Sequence, residues 1–135
     1  MTTPPKQIGT SYERRVADYA AGKPWLLPWD RAPLRGTADL LDISGSLPDG
    51  WLVGCKAITR RGNLADRLSG AMEQNRAAMA NLERMYPGRA SGVVPVQIVQ
   101  RQGYPVGRSY AVMEFDQFLS VVLMRREWNA ILEAG

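Results

Sequence analysis

The spacing of apolar residues along this chain alternates between helical and strand periods. Tyr12, Val16, Tyr19 and Ala20 recur at helical steps, which predicts a helix over 11–21 that stops at Gly22, ahead of Lys23-Pro24. Thr10-Ser-Tyr-Glu13 fits a capping box, the Thr10 hydroxyl accepting from the Glu13 backbone N–H while the Glu13 carboxylate reaches back. Residues 1–9 carry two prolines, a lysine and a glycine without periodicity and read as a flexible arm.

Three prolines and two tryptophans between Lys23 and Pro33 suit a short extended segment at Trp25 to Leu27 that runs into an irregular loop. Leu40 to Ser44 and Trp51 to Ile58 read as strands of one hairpin, turned at Leu47-Pro-Asp-Gly50. From Leu64 the pattern becomes Leu64, Leu68, Met72, Met79, Leu82 and Met85, one face of a long helix ending near Pro87-Gly88. Val93 to Gln100 reads as a strand, Gln102 to Arg108 as a loop and Tyr110 to Glu114 as a further strand. Asp116 is placed to cap a last helix, whose Phe118, Leu119, Val122, Leu123, Ile131 and Leu132 need an apolar surface to bury. The predicted order is αβββαββα, an α/β domain with a mixed sheet flanked by helices.

Composition narrows the function more than the fold. At 135 residues and 45% apolar content the chain suits a single domain, residues 10–135, behind the arm. No apolar run is long enough for a membrane span and no apolar leader begins the chain, so a cytoplasmic location is expected. The single cysteine, Cys55, has no disulfide partner within the chain, and the absence of histidine excludes histidine acid–base chemistry and disfavours structural zinc. A net charge of +4 leans toward a polyanionic partner. Much of it is arginine, including the pairs Arg14-Arg15 and Arg60-Arg61 with Arg31 and Arg35, whose guanidinium forks match phosphate oxygens.

The candidate chemistry lies in the predicted hairpin. Two acids, Asp39 and Asp42, precede Trp51-Leu-Val-Gly-Cys-Lys56. Gly9-Thr-Ser-Tyr-Glu13-Arg14, the stretch Arg35 to Gly45, Leu52-Val-Gly-Cys-Lys56 and Glu73-Gln74 together resemble the Holliday-junction resolvases of archaea and actinobacterial phages, within the PD-(D/E)xK nuclease superfamily. The resemblance covers roughly residues 9 to 100, and Tyr110 to Leu119 also looks like the tail of the phage members. It implies a restriction-endonuclease-like fold, a homodimer, and Mg²⁺- or Mn²⁺-dependent cleavage of branched double-stranded DNA. Catalytic positions carried over by it are Glu13, Asp42 and Lys56. Metal contacts would come from Asp42 and Glu13, with Asp39 as second choice for the hairpin aspartate and the Cys55 backbone carbonyl beside them.

Carboxylate-bound magnesium would activate water and offset charge on the phosphorus, with lysine adding a cation. One position departs from the family pattern. The carboxylate expected two residues before the lysine is Gly54. Either cleavage is lost and binding kept, giving a nuclease-fold DNA-binding or protein-interaction factor, or a carboxylate from elsewhere fills the gap, with Glu73 on the following helix the nearest candidate. Arg14, Arg15, Arg31, Arg35, Arg60 and Arg61 are the expected phosphate contacts. Strand alternation places Gly54 and Lys56 on one face and the Cys55 thiol on the other, in the core.

Overall fold

A computed structural model of the chain describes residues 5–23, 30–31, 41–44, 50–57 and 64–134, with backbone alone at 5–10, 30, 31 and 44. Its elements are α1 (Pro5–Ala21), β1 (Asp30–Arg31), β2 (Ile43–Ser44), β3 (Trp51–Lys56), α2 (Leu64–Met85), β4 (Val94–Val99), β5 (Tyr110–Val112) and α3 (Phe115–Ala134). The order αβββαββα has the expected form, but β1 falls at Asp30–Arg31, in the segment read as an irregular loop, and the expected strand at Trp25 to Leu27 lies outside the described residues.

The sheet is mixed, with strands in the order β1-β2-β3-β4-β5. Pairing is antiparallel except between β3 and β4, where Trp51 to Lys56 runs parallel to Val94 to Val99 across the α2 crossover. Most of the sheet is β3, β4 and β5, with β1 and β2 contributing two residues each.

Alternation along β3 divides the core. Val53 packs with Ile43, Val96 and the α1 residues Tyr12, Val16 and Ala17 on one face. Leu52 packs with Leu41 and the α2 residues Ala78 and Leu82 on the other. The sheet is therefore covered by α1 on one side and α2 on the other.

Several expectations are corrected. Helix α1 begins at Pro5 rather than after Thr10. A proline suits the first turn, where no N–H is needed, so Thr10 and Glu13 lie inside the helix and the capping box does not form. Residues 5–9, expected in a flexible arm, belong to the helix. Tyr19 is exposed and Ala17 takes the buried place expected of it.

On α2 the buried positions are Ala71, Asn75, Ala78 and Leu82, while Leu64 is exposed. Small residues at the centre of the contact let α2 approach the sheet closely. The expected bulky residues Leu68, Met72, Met79 and Met85 sit half-buried at its flanks. Asp116 lies in the first turn of α3 rather than before it, where a carboxylate still complements the helix dipole.

Helix α3 buries none of its residues, and Phe118, Leu119, Leu123, Ile131 and Leu132 all remain exposed. Arg76 of α2 ties its start to the body through a 2.8 Å ion pair with Glu114. No described helix is long and apolar enough to cross a membrane.

Candidate functional site

Leu41, at the entry to β2, has a left-handed backbone with φ of 71°. A branched residue adopts that region only when its surroundings enforce it, at a cost on the order of 1–3 kcal/mol. Leu41 packs into the α2-side core whereas Ile43, two residues later, packs on the α1 side. Regular strand alternation would send both to one face, so the chain slips out of register between them. Asp42 sits at that slip.

The slip determines what Asp42 does. Its backbone N–H donates to the Val53 carbonyl at 3.0 Å, and its carboxylate Oδ2 accepts from the Cys55 backbone N–H at 2.7 Å. The carboxylate thus acts as a ladder acceptor, in the role a strand carbonyl usually fills.

Glu13 reaches the same neighbourhood from α1. Burial pushes the Cys55 thiol well above its ordinary value, and the Asp42 and Glu13 carboxylates add to the shift by disfavouring a second negative charge. Cys55 itself packs against the α1-side core, as alternation predicts. Glu13, Asp42 and Cys55 are therefore brought together by the fold.

Lys56 follows Cys55 directly on β3, and alternation assigns it to the α2-side face with Leu52 and Gly54.

The gap at Gly54 is filled by a residue that sequence reasoning passed over. Gly54 pairs with Gln97 in the parallel register. A Cβ added at Gly54 would lie 2.5 Å from Gln97 Oε1 and 2.6 Å from its Cδ, well inside van der Waals contact. Gln97 is fully buried, and its Nε2 donates to Asn75 Oδ1 at 2.8 Å and to the Ala71 carbonyl at 3.5 Å. Its Oε1 is buried with no hydrogen-bond partner. The only hint in the sequence was a polar pair, Asn75 and Gln97, at positions where the helical and strand patterns call for core residues.

Glu73, considered for this vacancy, lies on the exposed face of α2, turned from the buried Ala71 and Asn75. The space it was expected to enter holds the Gln97 carboxamide instead. Arg14 and Arg15 are exposed on α1 beside Glu13, with the Arg15 guanidinium 5.5 Å from the Tyr12 ring centre. Arg31 is described only as backbone in β1, and Asp39, Arg35, Arg60 and Arg61 lie outside the described residues.

The described residues supply part of the donor set that the resemblance implies for magnesium, Asp42 and Glu13 beside Cys55. Mg²⁺ takes several hard oxygens in a near-octahedral shell. Here one Asp42 oxygen is committed to an N–H, position 54 offers no side chain, and no group of three or more His, Cys, Asp or Glu side chains suited to a metal occurs among the described residues. Comparison of the chain with protein-family models, with curated proteins and with solved structures finds no match.

Proposed function

We propose that this chain is a nuclease-fold protein of the resolvase kind that binds branched double-stranded DNA as a homodimer without cutting it. The observation that carries this reading is the Gln97 carboxamide over Gly54, in the space where a cleaving member would carry its second carboxylate. Binding is supported by the net charge of +4, by the exposed Arg14 and Arg15, and by the sequence resemblance. Phosphate contacts rather than base reading suit such a surface, so affinity should fall steeply with salt.

The dimer rests on α3. A helix whose Phe118, Leu119, Leu123, Ile131 and Leu132 are all exposed offers apolar area of the kind that a second copy covers. Sedimentation of the parent as a dimer and of Leu119→Lys/Leu123→Lys as a monomer is expected; a monomeric parent refutes this part.

The deciding experiment offers a four-way junction with Mg²⁺ or Mn²⁺ to the parent, to Gly54→Glu and to Gly54→Glu/Gln97→Gly. Binding without cleavage by the parent is expected, with cutting gained only when the glutamate has room. The second reading, a metal-dependent structure-selective endonuclease, is favoured by the convergence of Glu13 and Asp42 at Cys55. Parent cleavage that disappears in Asp42→Asn would establish it and overturn the first.

A further inference from the structure

The loop after β4, read from the sequence only as a connection, carries a cluster that the site above does not use. The Arg101 guanidinium lies 3.8 Å from the Tyr104 ring centre and 4.6 Å from that of Tyr110. Arg108 stands 5.2 Å from the same Tyr104 ring. An Arg101 N–H donates to the Arg108 carbonyl at 3.4 Å, closing the loop on itself.

Helix α1 holds the hairpin in place and extends the cluster. Tyr12 donates its hydroxyl hydrogen to Ser109 Oγ at 2.7 Å, and the Tyr19 ring lies so close to Gly107 that a Cβ there would be 2.6 Å from its Cζ. Lys23 sits 4.5 Å over the Tyr19 ring.

Charge and exposure say what this surface suits. Between Glu83 and Glu114 the chain has no acidic residue, and Glu114 is paired with Arg76. Tyr104 and Tyr110 remain 47% and 52% exposed, with the Arg101 guanidinium against both rings and that of Arg108 against the first. An exposed aromatic ring stacks a base that is not already stacked, and a guanidinium edge beside it meets the adjoining phosphate. A duplex hides its base faces and would use only the arginines.

Position supports a site as well. Because β3 and β4 are parallel their carboxyl ends coincide, and the Gln100 N–H donates to the Lys56 carbonyl at 2.9 Å. Arg101 therefore emerges next to the end of the lysine strand, the edge at which open α/β sheets take their ligands.

We propose that the β4–β5 hairpin, with the adjoining end of α1, binds unpaired nucleotides of a single DNA strand, Tyr104 and Tyr110 stacking bases while Arg101 and Arg108 hold phosphates. This deepens the proposed function and rests on it, since unpaired segments occur where duplex arms branch. The test measures fluorescence anisotropy of labelled oligo-dT, a plain duplex and a four-way junction with the full chain. Tyr104→Ala should weaken oligo-dT binding about tenfold, Tyr104→Phe should retain it, and Arg108→Ala should lower the log–log salt slope by about 0.7. Both positions are exposed in the hairpin loop, so these variants should keep the parental melting temperature.

Oligo-dT binding lost in Tyr104→Ala while the parent binds the junction supports both readings. Oligo-dT binding through Tyr104 with no junction binding refutes the proposed function alone. Junction binding with oligo-dT binding absent, or unchanged in Tyr104→Ala, refutes the hairpin surface alone.

Discussion

Adding one methyl group at Gly54 tests the central geometry directly. In an open strand Gly54→Ala would stabilise by about 0.5–1 kcal/mol, because glycine is the poorer strand residue. Here the new Cβ would lie 2.5 Å from Gln97 Oε1, so the carboxamide must leave its place. The end of a glutamine usually moves at little cost, but this one is fully buried and held by Asn75 and Ala71. Overpacking costs about 1–3 kcal/mol. Separating Gln97 from Asn75 leaves buried polar groups unpaired at about 1–3 kcal/mol more. Net destabilisation of about 1–5 kcal/mol is therefore expected once the strand gain is subtracted. Gln97→Ala should open the space, so that Gly54→Ala in that background costs at least about 1 kcal/mol less than in the parent. Urea unfolding of the four proteins, with m and midpoint both compared, measures the coupling. A neutral or stabilising Gly54→Ala in the parent, or strict additivity with Gln97→Ala, would refute the packing described here.

Asp42 should matter for folding whatever its role on DNA. Asp42→Ala leaves the Cys55 N–H without its acceptor and should cost about 1–2 kcal/mol by urea unfolding, whereas Asp42→Asn keeps an oxygen there and should cost less. The Cys55 thiol is held protonated in the folded state, above the ordinary value of 9.0, so the unfolded chain ionises first as pH rises. Stability contributed by this group is thus complete below about pH 9 and declines above it, and Cys55→Ala should flatten that alkaline fall in a pH series of melting temperatures. Native Cys55, half-buried and with its thiol held protonated, should also react slowly with alkylating agents at pH 8 and faster on addition of denaturant; rapid native labelling would contradict the raised pKa. Arg76→Ala removes an exposed ion pair with Glu114 and should leave the urea midpoint nearly unchanged; a clear drop would show that α3 depends on that tether.

Periodicity alone determined the three helices, the strands β3 to β5 and the face of Cys55, because helix and strand repeats are local and an alternating strand leaves no choice of face once its neighbours are known. The acid and lysine motif was equally visible, since it lies within one hairpin. What the linear pattern could not contain was the slip at Leu41, which lets the Asp42 carboxylate bond to the Cys55 N–H. Nor could it show that Gln97, distant in sequence, would stand beside Gly54, or that α2 would rest on Ala71 and Ala78 rather than on its methionines. Those outcomes depend on parallel register and on how closely a helix approaches a sheet, and both are decided by contacts between segments far apart along the chain.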